Sequence, residues 1–564
     1  MKNYAPVKRP ERTVVVHVNN YDYVYLTEKV EYSSKLKRSV PKRTAIGKLN
    51  DEGLLIPNHN YFEIYGTSEE IIDPFSRSDF ISVGMHAVIS RIIDNLGLKE
   101  LLDSIFDENS KKILDIATYL ISRQDNAMYF FEDYGYSHSL FSEKNFSDNT
   151  IGKLFDEVSV KDIDLFIKSW VITHAHDDIY ISYDSTNMNS SAGDLELVEY
   201  GHAKDDKDLP QINVSLGYNQ TDNIPLIYEL YAGSIIDNTE CKKMVDRASY
   251  YGCKNVGFIL DRGYFSIENI KYFEKHHYDY ILMTKGNASF VQKAIEECSA
   301  SLKYGNNNYL PEYELYGTTI ERDLFSNDNK QYIHVYYDGI KAEKDKIEFN
   351  NHLNRMDDAL EEKMKQRLQR KEDVKSYENY YKVKFDDNGY FYSYQRKDND
   401  IKKAMDKMGY FVIITSKEMT ALEALDIYRD RDAIEKVFRM EKSYLGFNAF
   451  RVHSTDKLES KLFISFIALI IRNEMSQKTK KLYYTNRKEY TLPKIIQQLE
   501  RMGITRLSDN KYHERYALTA RQKKIINSLG LTEKEYHDFI EKIKERVWSE
   551  PLKLDKLRRF TFYM

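Results

Sequence analysis

Cysteine is scarce in this chain of 564 residues, with three in all: Cys241, Cys253 and Cys298. They have no metal-ligand spacing and are too few for a disulfide framework, so a reducing cytoplasm suits them. Proline is scarce as well, at 10 residues, which speaks against long disordered linkers. No apolar run is long enough to span a bilayer. The longest, FISFIALII at 463–471, is bounded by Lys461 and Arg472 and predicts a buried helix. The opening residues, MKNYAPVKRPERTVVV, lack the apolar stretch of a secretory signal. There is no internal repeat and no low-complexity tract. These absences exclude the membrane and disulfide-scaffold classes, and the expectation is a soluble, multidomain cytoplasmic protein.

Charge and tyrosine are abundant. Charged residues make up 30% of the chain, and there are 46 tyrosines. The net charge of −5 conceals an asymmetry. Residues 1–50 carry 11 Lys and Arg against 4 Asp and Glu, and residues 476–564 carry 21 against 11, which leaves a balance of −22 for 51–475. Basic ends on an acidic body predict that the ends meet a polyanion while the body does carboxylate-dependent work.

Residues 12–31, RTVVVHVNNYDYVYLTEKVE, alternate as strands do, and the KLKRSVPKRTAIGKL that follows predicts an exposed basic loop broken by Pro41 and Gly47. We therefore expect a basic β-containing module over 1–75, suited by its charge to a polyanion, then a helical domain over 76–170. Short alternating strands follow at 178–188, 209–219 and 224–233. A helix beginning at an Asn238/Thr239 cap, a strand at 256–266, a helix, and a strand at 278–287 complete the series. Three strands, helix, strand, helix, strand is the order of a ribonuclease-H-like α/β core, expected over 171–290 and closed by a helix within 406–475. Residues 291–405 read as a mixed β and helical insertion, and 476–564 as a basic helical region. Within the insertion, Phe349, Leu353, Met356, Leu360, Met364 and Leu368 form one stripe, which fits either a helix packed on its neighbours or a coiled-coil dimer contact.

Asp184 is expected at the C-terminal end of the first strand, in YISYDSTN, and Asp261 at the end of the fourth, after VGFIL. In a sheet of this order the two strands are neighbours. Two adjacent carboxylates repel unless cations neutralise them, and a hard divalent ion such as Mg²⁺ prefers oxygen ligands of this kind. The closing helix, YRDRDAIEKVFRMEKS from Tyr428, places Ile427, Ile434, Val437 and Phe438 on a buried face, with Glu435 at its rim. Glu435 is the candidate third carboxylate. Singly, each residue has a plainer reading, as a turn or cap aspartate or a solvated helix glutamate. The ordered set is much harder to obtain by chance.

These residues resemble the DDE transposases of the insertion-sequence-4 superfamily, most closely the 1634-type branch. Its Tyr-x₂-Arg-x₃-Glu-x₆-Lys signature is met by Tyr428, Arg431, Glu435 and Lys442. YDSTN and LDRGYFS are similar to its two aspartate motifs, GHAKDDKDLPQINVSLGY to the segment after the first, and PKRTAIGKLNDEGLLIPNHNYFEIY to its N-terminal segment. The resemblance implies cut-and-paste transposition: binding of the element's terminal inverted repeats, metal-dependent strand cleavage, then strand transfer into target DNA. It implies two divalent ions, Mg²⁺ with Mn²⁺ as substitute, held by Asp184, Asp261 and Glu435. Tyr428, Arg431 and Lys442 would contact phosphates, as would Arg262 and Lys285. It further implies a homodimer in the synaptic complex, no membrane partner, and a bacterial cytoplasm, with the protein on the nucleoid when DNA is bound. The basic residues could instead be ion-pair partners of nearby acids.

THAHDD at 173–178 suggests a binuclear metallohydrolase, but it lacks further histidines at suitable spacing and precedes the first strand. A stronger rival is a transposase-derived chain that grips DNA without cutting it, although nothing in the intact acids and signature favours one.

Overall fold

The computed structural model describes the chain except for residues 1–5, 19–20, 34–36, 51, 66–79, 176–178, 190–194, 196, 202–208, 236, 254, 305–307, 326–328, 367–368, 435–453, 508–510 and 550–564. The chain divides into two units, one of residues 1–81, 503–517 and 540–564, the other of 82–502 and 518–539.

In the first unit the alternating β-branched and aromatic residues form an antiparallel sheet in sequential order: β1 (Thr13–Val18), β2 (Tyr21–Ser33), β3 (Arg38–Leu49) and β4 (Leu55–Pro57). Its core is small, with Val24, Ile46 and Leu55 fully buried and Val15, Leu26, Leu49 and Tyr61 packed around them. The basic segment expected as a loop is strand β3. Pro41 fits there because β4 pairs with β3 only over Gly47–Leu49, so no outer strand needs the missing N–H. Gly47 allows β4 to close, since a Cβ there would lie 2.2 Å from the Ile56 carbonyl oxygen.

The second unit is a mixed α/β body on a nine-stranded sheet. The expected series is present: β5 (Tyr180–Asn189), β6 (Gln211–Asn219), β7 (Ile224–Ala232), helix α1 (Asp237–Tyr250), β8 (Gly257–Leu260), helix α2 (Ile267–Lys275) and β9 (Asp279–Met283). Every residue of β6 is buried, as expected of an interior strand. The sheet then gains β10 (Tyr309–Leu310), β11 (Leu315–Arg322), β12 (Gln331–Tyr337) and β13 (Tyr410–Thr415). The full order is β10-β11-β12-β13-β9-β8-β5-β6-β7.

Much of 291–405 therefore extends the main sheet. A separate cluster forms from the helix Gly339–Gln366 and the hairpin Tyr381–Phe385/Phe391–Arg396. There Leu353 and Leu360 pack with Val374, Tyr381 and Phe391, against Phe349, Met356 and Met364. The stripe is thus covered by its own neighbours; Leu368 lies outside the described residues.

FISFIALII falls within helix α4 (Thr455–Thr485) and is buried along its whole length. Ser460 Oγ ties α4 to the carbonyls of Phe155 and Val158 at 2.8 and 3.0 Å, and the Phe466 ring lies 5.0 Å from that of Tyr228 on β7. Trp170 Nε1 donates to the Pro225 carbonyl at 3.0 Å, fixing the preceding helix to the same strand. Helix α4 runs without a break through the expected boundary at 475/476, and the region beyond it includes short strands, Gly503–Arg506 and Tyr512–Glu514. Among the described residues no helix is long and apolar enough to cross a membrane.

Candidate active site

Strands β5 and β8 pair in parallel up to Tyr183 opposite Leu260, and β8 pairs with β9 up to Leu260 opposite Leu282. One step further along each strand come Asp184, Asp261 and Met283, level with one another across neighbouring backbones about 4.8 Å apart. Asp184 is not at the end of its strand, because β5 continues to Asn189 against β6. It lies where the pairing with β8 stops, and the sheet opens beside it. The two aspartate motifs are locked by buried tyrosines: the Tyr183 and Tyr264 rings meet edge-on at 5.3 Å.

Each aspartate has a local task as well. Asp184 Oδ1 accepts from the Ser185 amide at 2.8 Å. Asp261 Oδ1 accepts from the Arg262 amide at 2.6 Å and caps the short 3₁₀ turn Arg262–Tyr264. The plain reading of Asp261 as a cap is therefore correct as far as it goes.

Helix α3 (Ala421–Arg429) supplies the next layer. It starts at a reciprocal capping box between Thr420 and Glu423. The helix does not continue unbroken through the signature as its periodicity suggests. It ends at Arg429, Asp430 and Arg431 make a turn in which the Arg431 amide donates to the Tyr428 carbonyl, and helical residues resume at Asp432. Tyr428 in the last turn of α3 and Arg431 in the turn that follows both lie over the carboxylate row. Tyr428 Oη donates to Asp261 Oδ1 at 3.3 Å and lies 3.6 Å from Met283 Sδ. Arg431 Nη1 pairs with Asp184 Oδ2 at 3.5 Å, and its guanidinium sits 5.6 Å from the centre of the Tyr428 ring. These side chains of Arg431 and Asp184 are only 11% and 19% exposed, so water screens the pair little. Burial is the main cause that pushes the Tyr428 phenol well above its ordinary value, and the Asp261 charge adds to it, so Tyr428 keeps its proton as a donor.

Tyr428 and Arg431, expected on DNA phosphates, here address the two aspartates, Tyr428 by a hydrogen bond and Arg431 by the kind of ion pair that sequence alone left open for the basic residues. Arg262 and Lys285 are exposed just past the ends of β8 and β9. Glu435 and Lys442 lie outside the described residues. Among the described residues no group of three or more His, Cys, Asp or Glu side chains is placed to hold a metal ion. The donor pair nevertheless fits a hard divalent ion, since it consists of two carboxylates in register at one sheet opening. In THAHDD, His174 packs against the Trp170 ring at a tilt of 34° and bonds the Trp170 carbonyl at 3.0 Å, and burial lowers its basicity.

Sequence reasoning missed Met283, which β-register alone would place beside Asp261. It also missed the two tyrosines that dock α3. Tyr336 Oη donates to the Ala421 carbonyl at 2.7 Å and Tyr313 Oη to Asp426 at 2.5 Å. Both come from the 291–405 segment, and nothing local marks them.

A family model described as "Transposase DDE domain" matches residues 176–471. No curated protein matches the chain. Among solved structures it is similar to a cryo-EM structure of the piggyBac transposase synaptic complex with hairpin DNA. The identity is 7%, coverage is 81% of this chain and 82% of that chain, and the TM-score of 0.34 is too low to carry any argument.

Proposed function

Because the chain belongs to the transposase DDE domain family, we propose that it is an insertion-sequence transposase of the 1634-type branch of the insertion-sequence-4 superfamily. Its body is read as a ribonuclease-H-like core. It binds its element's terminal inverted repeats and catalyses strand cleavage and strand transfer, as a homodimer in the synaptic complex and on the nucleoid of a bacterial cytoplasm.

The observation that supports this reading most is the row of Asp184 and Asp261 beneath Tyr428 and Arg431. Asp184, Asp261 and Glu435 would hold two divalent ions, Mg²⁺ or Mn²⁺, which when bound lower the proton affinity of the attacking oxygen and stabilise the leaving one. The chain's own residues orient the reaction. Tyr428, held protonated, fixes the Asp261 carboxylate by its hydrogen bond. Arg431 fixes Asp184 and brings positive charge to where phosphate charge develops. Lys442, Arg262 and Lys285 hold the flanking phosphates. In cleavage, a water oxygen bonds to phosphorus as the P–O3′ bond breaks, and the water's proton ends on the departing 3′-hydroxyl. In strand transfer that 3′-oxygen attacks a target phosphodiester, and the displaced 3′-oxygen takes the proton. No oxidant or further reactant is needed.

The test uses duplex DNA from the flanks of the gene in a single-turnover cleavage assay with Mg²⁺. Asp184→Asn, Asp261→Asn and Glu435→Gln should each abolish cleavage while binding of the duplex stays near wild type. A variant that cuts at the wild-type rate removes that residue from the catalytic set.

A further inference from the structure

Beyond Leu26 on β2, and before Gly47 on β3, the first unit's sheet narrows to two strands. Strand β1 pairs with β2 only over Tyr21–Leu26, and β4 with β3 only over Gly47–Leu49. What remains is a ribbon that contributes nothing to the core, whose residues stop at Leu26 on one strand and begin at Ile46 on the other. A two-stranded hairpin with no face to bury is marginal in water.

Its side chains divide by register. Lys29 lies directly opposite Lys42 on one face, and Arg38 is on the same face of β3 as Lys42. Val30 lies opposite Pro41, and Tyr32 opposite Ser39, on the other. Like charges placed directly across a strand pair destabilise it, and the Lys29–Glu31 ion pair answers only one of the two lysines. On the second face Val30 is 63% and Tyr32 70% exposed, an apolar tip with nothing over it among the described residues. From Glu28 to Arg43 the sequence carries six Lys and Arg against two Glu. Each of these features costs stability in free solution, and one partner answers both.

We propose that the paired strand segments Glu28–Tyr32 and Arg38–Arg43 of this ribbon form an arm that lies in a groove of double-stranded DNA. The proposal rests on the transposase reading above and adds the element that grips the duplex. A two-stranded ribbon fits the major groove. Its floor offers base edges and thymine methyls to Val30 and Tyr32, while phosphates line both walls. Lys29 and Lys42 project from opposite strands, so their long stems reach opposite walls. The excess of positive charge disfavours the alternative occupant, the same arm of a second copy paired along its open strand edges.

The experiment measures binding of the full-length protein to a labelled duplex from the gene's flanks, and to one of unrelated sequence, over a salt series. Sedimentation and thermal unfolding are run alongside. In the triple variant Lys29→Ala/Arg38→Ala/Lys42→Ala, the slope of log K against log salt should shallow by about 2–3 on both duplexes, since each neutralised phosphate contributes about 0.9. Restoring charge with Lys29→Arg/Arg38→Lys/Lys42→Arg should return the slope, which separates charge from folding. Val30→Ser/Tyr32→Ser should weaken the flank duplex by about tenfold at unchanged slope. An unchanged slope in the triple variant, with wild-type cleavage intact, overturns the arm and leaves the transposase reading standing. Loss of self-association with unchanged DNA binding also overturns it, in favour of the second copy. A wild-type protein that binds neither duplex overturns both.

Discussion

In one half of the nine-stranded sheet, β5, β8 and β9 run parallel, whereas from β9 through β13 to β10 every pairing is antiparallel. Parallel strands bring their C-terminal ends to one edge, so residues that follow them collect there. Asp184, Asp261 and Met283 lie level where the parallel pairing of β5, β8 and β9 stops, although β5 itself runs on against β6. Antiparallel strands scatter their ends, and that half contributes through its faces. Tyr336 from β12 and Tyr313 from the turn before β11 hold helix α3 above the acids. In the proposed reaction the carboxylates therefore come from one half, and the placement of Tyr428 and Arg431 depends on the other.

Substitutions should separate the two halves. The largest effect is expected at the acids. Even partners of metal ligands cost about 10–100-fold when removed, so Asp184→Asn or Asp261→Asn should lower single-turnover cleavage by more than about a hundredfold. Tyr428→Phe removes the donor to Asp261 but keeps the ring, and the same assay should show a loss of about 10–100-fold with little change in thermal midpoint. Tyr336→Phe belongs to the other half. It removes one of the two hydrogen bonds of the Ala421 carbonyl, which also accepts within helix α3, so unfolding should register a loss of about 0.5–1.5 kcal/mol while cleavage well below the midpoint stays near wild type.

The smallest effect at neutral pH is expected at His334. It is buried in β12 between the hydroxyls of Thr319 and Thr415, and burial lowers its pKa to about 4. The unfolded chain takes up this proton near the ordinary value of 6.5, before the folded one does. The histidine's contribution is thus complete above that pH and is lost as pH falls toward about 4. His334→Gln should flatten that part of a midpoint-against-pH curve, and an unaltered curve would remove His334 from the account.

The neighbouring aspartates were legible because strand order alone makes the first and fourth strands adjacent, and a β-run ending in Asp is a local signal. The buried helix at 463–471 was legible for the same kind of reason. What escaped depends on partners distant in sequence. Strand β5 runs past Asp184 because β6 pairs with it to Asn189. The basic segment before Gly47 becomes a strand because β2 is there to pair with it, and Pro41 is tolerated at its open edge. The turn at Asp430–Arg431 interrupts a helix that periodicity alone runs straight through, and it is where Arg431 meets Asp184.

The central claim, that Asp184 and Asp261 act as one pair of oxygen donors, is tested most directly by titrating Mn²⁺ into the protein and its variants and following the free ion by electron paramagnetic resonance, with the flank duplex bound. The account predicts that wild type removes Mn²⁺ from the free pool and that Asp184→Asn and Asp261→Asn each lose most of that uptake while still holding the duplex. Wild-type uptake in both variants would contradict it.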